Sequence, residues 1–98
     1  MVEYLHDAIR AIANQDIEIN AFIAENDGEP ITADCKLVLH DKDRDTMLGE
    51  WAGLYIEDAQ MWYFRIPAFD TIGLKGRYWY CIQHKDSNMC FKQPLYLV

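Results

Sequence analysis

The chain has 98 residues, 51% of them hydrophobic, enough for one domain spanning residues 1–98 with a core that needs neither metal nor disulfide. Nine Lys and Arg against sixteen Asp and Glu give a net charge of −7, which opposes a phosphate backbone and excludes nucleic acid as the expected partner. No apolar run approaches the roughly 20 residues of a membrane helix, and residues 1–7 lack the basic-then-apolar pattern of a secretory leader, so the expectation is a soluble protein made in the cytoplasm without membrane contact.

In chain order, the first segment is ambiguous. Leu5, Ala8, Ile9 and Ile12 would line one face of a short helix, but a helix of that length is marginal alone, and residues 6–13 read better as a first strand. Residues 15–25 place Ile17, Ile19, Ala21 and Ile23 on one face and Glu18 and Asn20 on the other, which is the period of a strand. A dense turn signal with an Asp27-Gly28 step follows. Residues 35–40 alternate again, with Cys35, Leu37 and Leu39 on the core side.

A charged loop at 41–46 leads into an extended stretch, 47–56, whose Gly49 and Gly53 mark a bulge or bend, and Glu57 and Asp58 end it. Residues 60–66 then turn Trp62, Phe64 and Ile66 inward and Met61, Tyr63 and Arg65 outward, before Pro67 stops the ladder. The last 22 positions or so read as a hairpin, 77–85 against 89–98, around a turn of Lys85, Asp86, Ser87 and Asn88. Pro94 predicts a free edge or a bulge in the final strand. Turn signals spaced by about 8 to 12 residues predict an all-β sandwich.

Reactive residues are scattered. Asp41, Asp43 and Asp45 alternate as the first ligands of a calcium loop do, but Thr46 stands in place of the turn glycine and Ala52 in place of the bidentate glutamate, so a solvated turn is expected. Cys35, His40, Cys81, His84 and Cys90 supply zinc-type donors. Within regular strands, however, Cys35 faces away from His40 and Cys81 away from His84, so neither pair converges. Three cysteines, an odd number, predict reduced thiols and no obligatory disulfide.

The single serine, Ser87, shares a turn with His84 and Asp86, and contiguous turn residues rarely converge on one reacting atom. Glu57 and Asp58, being adjacent, diverge instead of sharing a proton. These patterns predict no catalytic, cofactor-binding or metal site; a small hydrolase using Cys81 or His84 is the catalytic alternative.

The aromatic load, 13%, exceeds what a core of this size needs. Trp62 and Phe64 are expected inside, and alternation places Trp79 on the face opposite Tyr78 and Tyr80. Trp79, Tyr63 and Trp51 are the candidate interaction residues, as anchors for a protein or platforms for a sugar; the alternative for an outward ring is to lie over a neighbouring strand.

Asp70-Thr71 followed by Gly76-Arg77-Tyr78-Trp79-Tyr80 resembles the start of the sixth strand in immunoglobulin-like sandwiches, which implies the tyrosine-corner role for Tyr78. Tyr80 stands where immunoglobulin domains carry their second disulfide cysteine. More broadly, the turn from Asn26 to Thr32, the strand at 35–40, the acidic loop, and the runs Trp62-Tyr63-Phe64-Arg65-Ile66-Pro67 and 76–80 look like the small immunoglobulin-like modules of tailed-bacteriophage virion proteins, among them baseplate, tail and capsid-decorating components. The resemblance implies an immunoglobulin-like antiparallel β-sandwich of about seven strands. It further implies a non-enzymatic structural or attachment role in the virion, with other virion proteins as partners. A final strand at a sheet edge would pair with another copy and give a homo-oligomer. A carbohydrate-binding sandwich using the exposed aromatics is the alternative.

Overall fold

The computed structural model describes residues 2–5, 8–24, 28–29, 31–32, 34–84 and 92–98. Among them are nine strands and two 3-10 turns: β1 (Val2–Leu5), β2 (Ala8–Ala11), β3 (Ile17–Ala21), β4 (Cys35–His40), β5 (Met47–Ala52), β6 (Leu54–Ile56), β7 (Met61–Ile66), β8 (Gly76–His84) and β9 (Gln93–Leu97), with the turns at Glu57–Ala59 and Ala68–Thr71. The chain is therefore all-β, in two sheets ordered β1-β2-β9-β8-β4-β5 and β3-β7-β6.

Alternation explains the core. Ile17 and Ile19 of β3, Cys35, Leu37 and Leu39 of β4, Trp62, Phe64 and Ile66 of β7, Tyr78 and Tyr80 of β8, and Leu95 and Leu97 of β9 form one buried cluster between the sheets. These are the inward residues that the period of two selects. The first segment is extended, as expected, but it forms two strands: β1 folds back antiparallel on β2.

Nine strands replace the expected seven or so for two reasons. The first is that N-terminal split. The second lies at Gly53, where the stretch 47–56 leaves one sheet for the other: β5 pairs with β4, whereas β6 pairs with β7. A Cβ at Gly53 would stand 2.6 Å from Phe64 Cε1, 2.7 Å from Trp62 Cε3 and 3.1 Å from the Cys35 carbonyl oxygen, so only glycine passes this close to the core rings.

One expectation about the C-terminal hairpin needs correction. Its turn, residues 85–88, lies outside the described residues. The final strand is no edge: β9 pairs antiparallel with β8 and parallel with β2. Pro94 is tolerated because the parallel ladder begins only at Leu95, opposite Ile9, so its missing N–H takes nothing from that ladder. Beyond β9, Val98 donates to the Ala11 carbonyl and accepts from Ala13, both at 3.0 Å. Copy-to-copy pairing through this strand is blocked on both sides.

Thr71 is the one buried polar side chain among the described residues. Its hydroxyl accepts from the Asn14 N–H at 3.0 Å and donates to the Ala68 carbonyl at 3.2 Å, bolting the left-handed turn at Asn14 (φ 66°) to the 3-10 turn before β8.

Two substitutions test this packing. Gly53→Ala should destabilise the fold by about 2 kcal/mol in urea unfolding, because neither ring nor carbonyl can retreat by the required distance. Thr71→Val should lower stability by about 1 to 2 kcal/mol, since it strands the Asn14 N–H.

Candidate functional site

The structure separates the three candidate aromatics and engages each. Trp79 sits on the outer face of the larger sheet, opposite Tyr78 and Tyr80, yet only 7% of it is exposed. The Arg44 guanidinium lies 3.7 Å from its ring centroid and that of Arg77 5.2 Å, so the ring is roofed by two cations and offers no stacking platform. The roof is held in place because Lys92 donates to the Arg44 carbonyl. The expectation of an exposed Trp79 is thus corrected.

Trp51 turns inward at the sandwich margin, opposite Leu37, and its Nε1–H donates to Asp70 Oδ2 at 3.2 Å. Tyr63 lies on the outer face of the smaller sheet, half-buried, with its hydroxyl donating to Glu18 Oε1 at 2.8 Å. That bond to a carboxylate pushes the Tyr63 phenol above its ordinary range.

The acidic loop is a turn organised by Asp43. Its Oδ1 accepts from the Asp45 and Thr46 N–H groups, each at 2.9 Å, and its Oδ2 from the Thr46 hydroxyl at 2.7 Å. Bonds from Thr46, then Asp45, hold its carboxyl below the usual range, and they occupy the oxygens that a cation would need. Among the described residues, no three His, Cys, Asp or Glu side chains converge as metal ligands.

Sequence spacing correctly placed Cys35 and His40 on opposite faces, and likewise Cys81 and His84, but spacing along one strand is blind to neighbours on the next. Cys35 lies directly opposite His84 across the β4–β8 ladder, and His40 Nε2 stands 3.9 Å from the Cys81 sulfur. Neither pair makes a nucleophile. Burial, then the Asp34 charge, pushes the Cys35 thiol up, so it stays protonated at neutral pH. Cys81 is held in a disulfide, against the expectation of reduced thiols. An odd count leaves room for one bridge, which the parity of three could not reveal. Its other half, and the positions of Cys90, Asp86 and Ser87, lie outside the described residues.

A cleft of about 400 Å³ opens where the sheets part at Gly53, lined by Cys35, Trp62, Gln83 and His84 among others. Its indole is committed: Trp62 Nε1–H donates to the Ile31 carbonyl at 2.7 Å, and the ring packs against Tyr55 and Phe64 with centroids 5.5 and 6.3 Å away. The thiol at one wall of the cleft is kept protonated by burial, with His84 directly opposite it across the ladder.

The feature that sequence reading missed is a strip of apolar side chains on the outside of the smaller sheet. Leu54 and Ile56 of β6 point outward, 60% and 37% exposed, and the ladder places Tyr63 and Met61 directly across from them. The strip was hidden because residues 47–56 look like one strand until Gly53 sends β6 to the second sheet.

No helix among the described residues is long and apolar enough to cross a membrane. None of the known protein families, curated proteins or solved structures compared with the chain matches it.

His40 carries a pH prediction. Burial, then the nearby Lys92 charge, lowers its affinity for a proton below the ordinary value of 6.5, although Asp43 and Asp45 oppose this. Its Nδ1 finds no hydrogen-bond partner among the described residues. The unfolded chain takes up a proton that the folded chain resists. The contribution to stability is complete above pH 6.5 and is lost as the pH falls through the lower value in the fold. Urea midpoints from pH 7.5 to about 5 should fall, and His40→Gln should flatten that fall.

Proposed function

We propose that the chain is an immunoglobulin-like, non-enzymatic module that works by protein–protein contact within a bacteriophage particle. Support for the immunoglobulin-like reading comes from the strand order. With β1 an added strand at the margin, the order β2-β9-β8-β4-β5 facing β3-β7-β6, and β2 parallel to β9, favours a variable-type sandwich. The Tyr78 hydroxyl supports it too, accepting from the Lys75 N–H at 3.2 Å three residues upstream, where a tyrosine corner makes its bond.

The observation that carries the contact role is the strip formed by the exposed Leu54 and Ile56 and the half-buried Met61 and Tyr63 paired across from them. A sheet face exposed to water normally reads polar at outward positions, and apolar residues directly paired there mark a surface that another protein buries. A sugar-binding role has less to work with, because Trp79 is roofed by Arg44 and Arg77 and Trp51 faces the core. The particle itself is drawn from the resemblance of residues 9–98 to virion modules.

Purified particles of the phage that encodes the chain are the place to test this. Mass spectrometry should find the chain at a fixed ratio to the major structural proteins, retained through density-gradient purification. A chain present in infected cells and absent from purified particles would overturn the reading.

A further inference from the structure

The apolar strip lies along a strand edge with a marked charge bias. Among the described residues β6 ends its sheet and pairs only with β7, and no strand lies along its other side, which can take a further strand. On β3, β6, β7 and the 3-10 turn Glu57–Ala59, the charged residues are Glu18, Glu57 and Asp58 against Arg65 alone, with Asp16 just before β3. Arg65 is already committed to Asp16 at 2.8 Å. Glu57 and Asp58, at the end of β6, make no ion pair among the described residues.

The two sides of a strand added to β6 would meet different chemistry. Side chains on its outer side would lie beside Leu54 and Ile56. Those on its inner side would lie beside Tyr55, at the mouth of a cleft of about 490 Å³ that is also lined by Glu29 and Glu57. One parity meets hydrocarbon and the other meets carboxylates. A second copy of this chain, with a net charge of −7, is a poor occupant for such a site.

We infer that the free edge of β6 docks an extended segment of a partner protein in which apolar residues alternate with Lys or Arg. The apolar parity covers the Leu54–Ile56 strip and the basic parity reaches Glu57, with Asp58 at the rim. This names the partner chemistry for the contact role proposed above and rests on that reading in taking the chain to act through a protein partner.

The probe is an acetylated, amidated peptide of four Leu-Lys repeats carrying a fluorophore, with four Leu-Glu repeats as its control. Titration by anisotropy, with amide-shift mapping of the labelled protein, should place the Leu-Lys peptide on residues 54–57 and 61–63. Leu54→Glu should weaken binding about tenfold. The double variant Glu57→Gln with Asp58→Asn, both on an exposed turn, should weaken it about fivefold and reduce its salt dependence, even if Leu54→Glu disturbs folding.

Equal binding of the Leu-Glu peptide, shifts centred elsewhere, or affinity indifferent to the turn carboxylates would overturn the inference. So would self-association of the chain that Leu54→Glu abolishes, because a second copy would then be the occupant. A chain found in particles that ignores the peptide loses the docking inference and keeps the particle reading; peptide binding at β6 by a chain absent from particles does the reverse.

Discussion

The contact between the Gly53 backbone and the rings of Trp62 and Phe64 governs the rest of the structure. An L side chain there would overlap both rings, so the chain passes from one sheet to the other at a single residue. The Gly53 N–H, donating to the Cys35 carbonyl at 2.8 Å, pins the crossing to β4. From this crossing follow the open edges at one side of the sandwich: β5 ends the larger sheet and β6 the smaller. Trp62 completes the arrangement by bonding the Ile31 carbonyl, tilting against Tyr55 and stacking on Phe64, which ties the segment before β4 to β6, the strand after the crossing, and to β7. The same rings that fill the core also fix where the surface is left unfinished.

The elements with strict alternation were legible. Ile17 and Ile19, Leu37 and Leu39, and Phe64 and Ile66 each sit at inward positions of their strands, where a one-residue slip would turn Glu18, Lys36 or Arg65 into the core. What was not legible depends on residues distant in sequence. Trp79 is outward by parity but buried because Arg44, 35 positions earlier, lies over it. Parity assigns a face, and burial depends on what crosses that face. Pro94 read as an edge signal because the rule concerns lost ladder bonds, and the sequence does not show where the neighbouring ladder begins. For the reactive side chains, spacing within β4 and β8 separated each Cys from its nearest His. The ladder then brought Cys35 opposite His84 and His40 to the Cys81 sulfur, which no within-strand count reveals.

Free strand edges attract other chains, and the two edges of the smaller sheet are treated differently. At β3 the Asn20 N–H is taken by the Tyr4 hydroxyl at 2.9 Å, and β1 lies close by. Arg65 and Asp16 bridge over the same side, with Asp16 also accepting from the Ala68 N–H at 2.9 Å. That edge is capped. At β6 no side chain among the described residues bonds the strand's outer backbone, and the neighbouring outward positions are Leu, Ile, Met and Tyr in place of the Lys or Pro that commonly blunt an edge. Among the described residues, the protection there is the negative charge of Glu57 and Asp58.

Charge protection is selective in a way that steric capping is not. A capped edge such as β3 refuses every strand alike, whereas carboxylates repel acidic chains, including other copies of this one, and attract basic chains. The repulsion acts over about one Debye length, roughly 8 Å in physiological salt, so it works during approach, before any backbone bond forms. The backbone bonds and the apolar strip then hold whatever has been admitted. On this account the excess of sixteen acidic over nine basic residues and the bare apolar edge belong together: the charge makes the edge safe to leave open, and the edge gives the charge something to guard. Replacing Glu57 and Asp58 with neutral residues removes the filter while leaving the hydrocarbon in place. The first consequence of that change is lost discrimination between acidic and basic strands, ahead of any loss of stability, because both carboxylates lie on an exposed turn and bury nothing.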